Sequence, residues 1–403
     1  MSMPSRVCVS GPLVPYVAGF RTELEAQGYR PNAVGCQLYV LAHMSRWLES
    51  KDLGPGDLTP EVAREFLVAR RAAGYTLWLS EKGVAPLLAH LRSVGAAPLP
   101  QPAAPTTSPA ERLLAEFRSY LVGERGLAAA TVASDIYIAR LFLAGRPGED
   151  LGLERLTPAE IVAFVKEQCE RRGAAYVTAG LRALLRFCHV TGRTPRPLVG
   201  AVPRVASWRL AGLPKALDPN TVKALLSSCD RRTTYGRRDF AVLMLLVRLG
   251  LRSGEVASLR LEDVDWRAGE LLIRGKGSKL ERLPLPADVG EAVASWLSRG
   301  RPRCAAREVI TRVRAPHGRL SAGGVTAIVR AACVRASVPE VHAHQLRHTA
   351  ATEMLRAGAG LTEIGQVLRH QSVLTTAIYA KVDRSGLREL ASPWPAECPT
   401  VKP

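Results

Sequence analysis

Long apolar runs and aromatic side chains are scarce in this sequence. Aromatic residues make up only 5% of the chain, and no apolar run reaches the roughly 18 residues that a membrane-spanning helix needs. The N-terminal residues MSMPSRVCVSGPLVPY also lack the apolar core of a secretory signal. We therefore expect neither a membrane protein nor an exported one.

Paired cysteines are also missing. The eight cysteines are scattered, with no CxxC pair, at Cys8, Cys36, Cys169, Cys188, Cys229, Cys304, Cys333 and Cys398. In a long chain without a signal sequence, this spacing argues against a disulfide or zinc framework. We expect reduced thiols, most of them small residues of a hydrophobic core.

Acidic residues are few compared with basic ones. The 403 residues include 55 Lys and Arg against 36 Asp and Glu, a net charge of +19. A surplus of this size indicates a polyanionic partner, with nucleic acid as the first candidate and an anionic membrane surface as a weaker second. Hydrophobic residues make up 47%, which is enough for real cores, and the length predicts two or three domains.

The first part of the chain has apolar residues at helical spacing over residues 12–95. Thr59 followed by Pro60 is a good N-cap with proline at the first helical position. We predict an all-helical domain over residues 1–95 that binds DNA or contacts other protomers. Residues 96–110, AAPLPQPAAPTTSPA, contain five prolines and predict a semi-rigid linker.

The pattern of the first domain returns after this linker. FRTEL at 20–24 is echoed by FRSYL at 117–121, LTPEVAREF at 58–66 by LTPAEIVAF at 156–164, and LLAHLRSVG at 87–95 by LLRFCHVTG at 184–192. All three pairs are separated by 97 or 98 residues. We interpret residues 111–192 as a duplicate of the first helical domain; chance similarity between two four-helix units is the alternative.

Residues 193–216 form a second predicted linker, with four prolines and no acidic residue. A basic, extended connector is suited to following a phosphate backbone, and a solvated tether is the alternative.

The pattern of apolar and polar residues changes from Leu217 onward. Asp218 predicts a helix N-cap, and the nearly all-apolar RRDFAVLMLLVRLG predicts a buried helix that ends at Gly250. Arg252 follows in a setting that predicts burial, with Glu255 as its partner, and Ser253 can cap the next helix.

Further along, ELLIR at 270–274 and ERLPL at 281–285 predict a hairpin with Lys276 near its tip. The remainder, to about residue 380, is expected to be helical.

A group of chemically suited side chains lies near the C-terminal end. His344 and Arg347 are three residues apart and would share one face of a helix. His370 and Tyr379 follow. Cations, imidazoles and a phenol together suit an anionic phosphodiester that is attacked by a tyrosine hydroxyl.

The order and spacing of these residues resemble the tyrosine recombinase (phage integrase) family. The family signature of Arg, Lys, His-x-x-Arg, His/Trp and Tyr is matched by Arg252 in GLRSGEV, Lys276 in RGKGSKLERLPL, His344 and Arg347 in HAHQLRHTAAT, His370 in LRHQSVLTTAIY, and Tyr379. The resemblance covers residues 217–382, and residues 111–192 look like the family's core-binding domain. It implies a mainly α fold, in which helical (SAM-like) domains precede a mixed α+β catalytic domain with a small antiparallel sheet.

The resemblance also implies a reaction and roles. Tyr379 would attack a DNA phosphodiester to give a 3′-phosphotyrosine, while Arg252 and Arg347 bind the non-bridging oxygens. His344 would act as general base or proton relay, His370 would add a hydrogen bond to the phosphate, and Lys276 would protonate the leaving 5′-hydroxyl. No metal or other cofactor is expected.

The implied partners are double-stranded DNA at specific sites and further copies of the chain, as a dimer on one site and a tetramer in the synapse. Sibling recombinases or accessory proteins are further candidates, and no membrane is expected. A bacterial cytoplasmic location, nucleoid-associated on DNA, follows. The extra domain at 1–95 favours an integrase or transposase of a mobile element. The alternatives are a type IB topoisomerase-like DNA relaxation enzyme and a catalytically inactive DNA-binding regulator.

Some residues depart from the family pattern or stand beside it. Arg369 occupies a position where the family often has glycine, and we expect it to lie near the phosphate or to contact backbone. His348 is expected to pack beside Arg347 and support its orientation, with His342 in a similar supporting role. The tail, residues 383–403, is expected to dock on a neighbouring protomer or to pack on its own chain.

Overall fold

The computed structural model describes residues 7–99, 108–204, 216–275, 280–369 and 373–382. In this part of the chain the fold is mostly helical with one small antiparallel sheet, which confirms the predicted fold class. The chain divides into two compact units. The larger contains the described residues of Met1–Leu58, Val62–Ala97 and Leu210–Pro403, and the smaller those of Thr59–Glu61 and Pro98–Arg209. The predicted domain boundaries stay predictions.

The first helical segment forms its own hydrophobic core, because each helix turns an apolar face inward. Phe20, Leu41, Phe66 and Leu87 are among the buried side chains of this core. The helices of this segment are α1 (Val17–Ala26), α2 (Pro31–Glu49), α3 (Pro60–Ala72) and α4 (Glu81–Ser93). Helix α3 begins at Pro60, as the Thr59-Pro60 pair predicts.

Helix α1 meets the C-terminal part of the chain within the larger unit. The backbone N–H of His317 donates to the carbonyl of Gln27 at 3.0 Å. The next residue, Gly28, has a φ of +84°, and a Cβ atom there would lie 2.1 Å from the His317 ring. Both observations require glycine at this position.

The second helical segment repeats the order of the first. Its elements are α5 (Pro109–Ser119), continued by a π-helical turn (Tyr120–Glu124), then α6 (Ala129–Leu143), α7 (Pro158–Arg171) and α8 (Ala174–Val190). Thr157 caps α7 in a capping box with Glu160. The starts of α3 and α7, Pro60 and Pro158, are 98 residues apart, in the register of the sequence repeats. The duplication stays a prediction.

The connector after α8 differs from the expected extended strand of chain. Val202 is 2% exposed and belongs to the core of the second segment. Arg182 donates to the carbonyls of Val202 and Pro203 at 3.2 and 2.9 Å. Residues up to 204 therefore fold back on this core, because Val202 can be buried there. Residues 205–215 lie outside the described part.

The C-terminal segment is built around helix α10 (Thr234–Leu249), most of whose apolar residues are buried. Asp218 caps the preceding α9 (Pro219–Ser227) as predicted, and Gly250 ends α10 in the left-handed conformation at a φ of 58°. The other helices around this core are α11 (Ser253–Ser258), α12 (Ala287–Arg299) and α13 (Ala322–Ala336). The N-cap of α11 is Arg252, not Ser253, because the Glu255 carboxylate already binds the backbone N–H of Arg252.

The described residues form one three-stranded antiparallel sheet in the order β1-β2-β3. The predicted hairpin is confirmed, with Leu271 opposite Leu283 and Ile273 opposite Glu281. The short first strand was not predicted. Bounds are β1 (Val264–Asp265), β2 (Glu270–Arg274) and β3 (Leu280–Pro284). Lys276, near the hairpin tip, lies outside the described residues.

The expectation that the chain after the hairpin is helical was wrong for residues 301–320. This stretch is irregular, with single β-bridges from Arg260 to Glu308 and from Thr311 to Arg319. Pro302 and Pro316 cannot donate backbone hydrogen bonds, which explains the loss of helix.

The last elements enclose a smaller apolar cluster. Ala351, Ile364, Leu368 and Tyr379 form its buried part. The elements are α14 (Ala343–Arg356), α15 (Leu361–Val367), the short α16 (Val373–Thr376) and a 3₁₀ segment (Ala377–Val382). This cluster fixes where Tyr379 lies relative to α14. None of the helices in the described ranges combines the length and apolar character that a membrane crossing requires.

Candidate active site

Arg252 is exposed, so the predicted burial of its side chain was wrong. The side chain is 43% exposed, whereas its partner Glu255 is 6% exposed. Arg252 Nη1 donates to Glu255 Oε1 at 2.7 Å, which confirms the predicted pair. The turn after Gly250 brings the guanidinium to the surface while the carboxylate stays inside. The buried Glu255 therefore fixes the orientation of the Arg252 guanidinium, and the exposed part of that guanidinium can bind an anion.

The buried Glu255 carboxylate has a second cationic partner in Arg369. Arg369 Nη2 donates to Glu255 Oε2 at 2.7 Å, and its side chain is 2% exposed. Burial alone would raise the pKa of Glu255, but the charge of Arg369 and the hydrogen bonds from Arg252 outweigh it and hold the pKa below its ordinary value. Glu255 is thus a buried anion that fixes two arginines.

Arg369 has a backbone conformation that favours glycine. Its φ is 56°, in the left-handed region that costs most residues roughly 1–2 kcal/mol. Glycine, which the resemblance to the family implies at this position, would adopt that conformation without this cost. Arg369 Nη1 also donates to the carbonyl of Val367 at 2.8 Å. Its expected position near the phosphate or a backbone contact there stays a prediction.

Arg347 is almost fully buried, at 2% exposure. Its Nη1 donates to the Gly250 carbonyl at 2.5 Å, and its Nη2 donates to the Leu368 carbonyl. Burial, together with the charges of Arg252 and Arg369, lowers its pKa to about 9. The guanidinium is still protonated at neutral pH. The ends of α10 and α15 are therefore tied together by one buried cation.

Arg252 and Arg347 converge on adjacent carbonyls. Arg252 Nη2 lies 3.4 Å from the carbonyl of Arg369, the residue after Leu368. The two charges also act on His344, whose pKa is lowered by burial first and then by Arg347 and Arg252. The structure therefore brings together three of the predicted site residues around one turn of chain.

Tyr379 is held by a histidine that was expected to have another role. Its side chain is buried, and its hydroxyl lies 2.8 Å from Nδ1 of His348. His348 was expected to support Arg347, but its ring nitrogen is directed at Tyr379. Burial raises the pKa of Tyr379 to about 12, and the charge of Arg347 opposes that rise. The phenol is neutral at pH 7.

The remaining predicted residues, Lys276 and His370, lie outside the described part of the chain. His342 precedes α14 as its N-cap, where its backbone N–H donates to Gln345 Oε1 at 2.9 Å. Among the described residues, no group of three or more His, Cys, Asp or Glu side chains could hold a metal ion.

Comparison with known proteins shows the family of the chain. Residues 215–385 match the model of the phage integrase family. The integrase/recombinase y4rA of Sinorhizobium fredii is 40% identical over 397 residues, which is 96% of each chain. The chain belongs to the phage integrase family. The chain also shares 32% identity with the tyrosine recombinase XerD of Mycobacterium tuberculosis, over 68% of this chain and 94% of XerD.

The fold of this integrase-family chain also matches a solved structure. A lambda integrase tetramer bound to a Holliday junction superimposes with a TM-score of 0.52 at 16% identity, covering 76% of this chain and 88% of the other. At that identity the likeness concerns the fold. The predicted family and enzyme class, a tyrosine recombinase, are confirmed by the relatives.

Proposed function

We propose that this recombinase cleaves and rejoins DNA strands at specific sites, with Tyr379 as the nucleophile. The position of the Tyr379 hydroxyl carries the proposal. It lies within hydrogen-bond distance of His348 and in the electrostatic field of the buried Arg347. Arg347 in turn donates to the Gly250 carbonyl, in the turn that leads to Arg252. A nucleophile beside fixed cations suits attack on a phosphodiester.

The step conserves bonds and protons. The Tyr379 oxygen forms a bond to phosphorus, the bond from phosphorus to the 5′-oxygen breaks, and the phenol proton leaves to a base. Arg252 and Arg347 offset the negative charge that develops on the non-bridging oxygens, each worth about 2.7–4 kcal/mol if they act as oxyanion-hole donors do. The 3′-phosphotyrosine keeps the bond energy, so a second 5′-hydroxyl rejoins the strand without a nucleotide cofactor.

Lys276 and His370 complete this proposal by resemblance to the family. Lys276 would give a proton to the departing 5′-oxygen, and His370 would donate to the phosphate. His344 is proposed as a proton relay, because its imidazole is half-buried beside both arginines. A neutral imidazole can accept a proton at one nitrogen and donate from the other.

The free protein covers its own nucleophile. Tyr379 is 2% exposed, so a phosphate can reach its oxygen only after side chains packed around the hydroxyl move aside. We propose that DNA binding favours the open arrangement by bringing an anion between Arg252 and Arg347. Only a ligand that binds the open state better can shift this equilibrium.

We also propose assembly as a dimer on one site and a tetramer in the synapse, with a Holliday junction as intermediate. The likeness to the lambda integrase tetramer bound to a Holliday junction supports this assembly. A mobile-element role, action in the bacterial cytoplasm, and sibling or accessory partners belong to the same proposal.

Covalent capture tests the nucleophile even when the target sequence is unknown. The probe is a pool of nicked duplexes with a randomised central segment, in which the cleaved end diffuses away and traps the adduct. We expect the wild-type chain to capture a sequence family that survives denaturing wash. Tyr379→Phe should bind the recovered duplex with unchanged affinity and form no adduct.

Tyr235→Phe is the matched control, because Tyr235 is 48% exposed and lies on the same part of the chain. It should form adduct at the wild-type rate. An adduct that persists in Tyr379→Phe would exclude Tyr379 as the nucleophile. Strand exchange between two recovered sites, rather than relaxation of a supercoiled plasmid alone, separates a recombinase from a topoisomerase.

A further inference from the structure

One face of α14 carries a row of two histidines that ends at the nucleophile. His344 and His348 are four residues apart, so their side chains lie one above the other. Their ring centroids are 4.5 Å apart with the planes at 73°. Ala351, which follows on the same face, is fully buried in the cluster that contains Tyr379.

His348 is the member of this row that touches the reacting oxygen. Its Nδ1 lies 2.8 Å from the Tyr379 hydroxyl, and the two rings meet at 60° with centroids 5.6 Å apart. A distance of 2.8 Å is that of a well-formed hydrogen bond involving a hydroxyl. The contact joins residues 31 positions apart, so it depends on packing and not on local chain geometry.

The protonation states of His348 and Tyr379 determine which of them donates the hydrogen bond. Burial, then the charges of His344 and Arg347, lower the pKa of His348 to about 4, whereas burial raises the pKa of Tyr379 to about 12. Both groups are neutral at pH 7. The phenol has a proton to donate, and a neutral imidazole offers one unprotonated nitrogen to receive it.

We propose that His348, and not His344, is the immediate hydrogen-bond acceptor that orients the Tyr379 hydroxyl and receives its proton during attack. The proposal rests on the proposed function of Tyr379. His344 then acts one step further away, through its edge contact with the His348 ring.

The proposed step is balanced within the protein and its substrate. As the Tyr379 oxygen bonds to phosphorus, its proton passes to Nδ1 of His348. The bond from phosphorus to the 5′-oxygen breaks, and that oxygen leaves as a hydroxyl with the proton assigned above to Lys276. The bound phosphate places negative charge near the imidazolium that forms, which offsets the cost of protonating a buried histidine. Religation returns the proton to the tyrosine oxygen.

Nitrogen NMR of the full-length free protein tests the bond without DNA. The chain is labelled with ¹⁵N-histidine, and the His348 signals are identified by their loss in His348→Asn. We expect an unprotonated Nδ1 and a protonated Nε2 at pH 7, and a shift of the Nδ1 signal in Tyr379→Phe. A protonated Nδ1, or signals unchanged in Tyr379→Phe, would overturn the proposal.

Adduct formation on the duplex recovered by covalent capture tests the chemistry. Asparagine places its side-chain oxygen at the position of Nδ1, so His348→Asn keeps an acceptor that cannot take the proton. His348→Ala removes both functions. We expect the alanine variant to lose about 10²–10⁴-fold in adduct rate, the usual contribution of acid–base catalysis, with DNA affinity within about twofold. The asparagine variant should be at least about tenfold faster than the alanine variant.

The two measurements separate the possible failures. Equal rates for wild type, His348→Asn and His348→Ala would exclude a catalytic role. A slow alanine variant that asparagine does not improve, together with a loss of thermal stability, would mean that His348 only packs the cluster. If the wild type forms no adduct at all but the NMR result is as expected, the proposed function fails while the assigned bond stands.

Discussion

At the residue scale, the site depends on a buried carboxylate between two arginines. Glu255 binds exposed Arg252 and buried Arg369 at 2.7 Å each. Arg369 does this from a left-handed backbone conformation at φ 56°. The protein therefore accepts a backbone cost at Arg369 in return for a fixed orientation of Arg252.

Substitution of Arg369 measures both the ion pair with Glu255 and the cost of the left-handed backbone conformation. Arg369→Gly removes the bond to Glu255 but relieves the backbone, whereas Arg369→Ala removes the bond and keeps the strain. We expect both variants to unfold more easily than the wild type, by about 1.5–3 kcal/mol for a lost hydrogen bond to a charged group. The alanine variant should be less stable than the glycine variant by about 1 kcal/mol.

Urea denaturation at pH 7 gives the comparison. If alanine proved as stable as glycine, the left-handed conformation of Arg369 would not be a strained one in solution. The Arg369→Gly variant should also lower the adduct rate, because Arg252 would lose the support of a correctly placed Glu255.

At this scale, the sequence predicted which residues form the site better than it predicted how their side chains are oriented. The pairing of Arg252 with Glu255 followed from their spacing in a capping turn, which is local. The exposure of Arg252 and the contact from His348 to Tyr379 did not follow, because each depends on how distant segments pack. The sequence signal that could have indicated the role of His348 is its position four residues after His344 on a predicted helix.

At the element scale, the C-terminal end of α10 positions Arg347. Gly250 has a φ of 58°, its carbonyl accepts from Arg347 Nη1, and a Cβ atom there would lie 2.5 Å from Leu368 Cδ2. Leu368 is fully buried, so it has little room to shift. The end of this helix is therefore both a turn and a packing contact.

Gly250→Ala tests that contact, with Gly269→Ala as the matched control. Gly269 has a φ of 66° but no atom within 4 Å of a Cβ, so its substitution costs strain alone, about 1–2 kcal/mol. We expect Gly250→Ala to cost about 1–3 kcal/mol more, because it also overpacks the core. Urea denaturation measures both variants. Equal losses would mean that Leu368 yields without cost.

Helices were well predicted because their apolar spacing is a local signal. Residues 12–95 contain the predicted helices, and the buried helix ends at Leu249, just before Gly250. The irregular 301–320 stretch and the packing of Val202 were missed. Prolines decide the conformation of the 301–320 stretch. Val202 is positioned by the core of the second helical segment, and the sequence pattern does not show that this residue packs there.

At the scale of the whole molecule, the positive charge is unevenly distributed. Residues 1–97 contain 10 basic and 8 acidic residues, whereas residues 217–382 contain 26 basic and 15 acidic ones. The C-terminal part, where the site lies, therefore carries most of the attraction for a polyanion. We expect contacts to DNA phosphates to be concentrated there.

Binding to duplex DNA should accordingly weaken steeply with salt. Release of counterions from about six to ten contacted phosphates lowers affinity by about 10³–10⁵-fold between 50 and 200 mM salt. Fluorescence anisotropy with Tyr379→Phe measures this without covalent product. An affinity that changes less than about tenfold over this range would contradict an extended phosphate interface.

The first helical segment is joined to the C-terminal part through Gln27, Gly28 and His317. Its net charge of +2, from 10 basic and 8 acidic residues, makes a general phosphate-binding role weaker than the +19 of the whole chain indicates. Binding of this segment to DNA or to other protomers stays a prediction.

The buried Arg369 also has a genetic consequence. Every arginine codon is one base change from a glycine codon, so the residue that would relax this backbone is always a single mutation away. Arginine can therefore persist at this position only where losing the ion pair with Glu255 harms the protein more than relaxing the turn helps it.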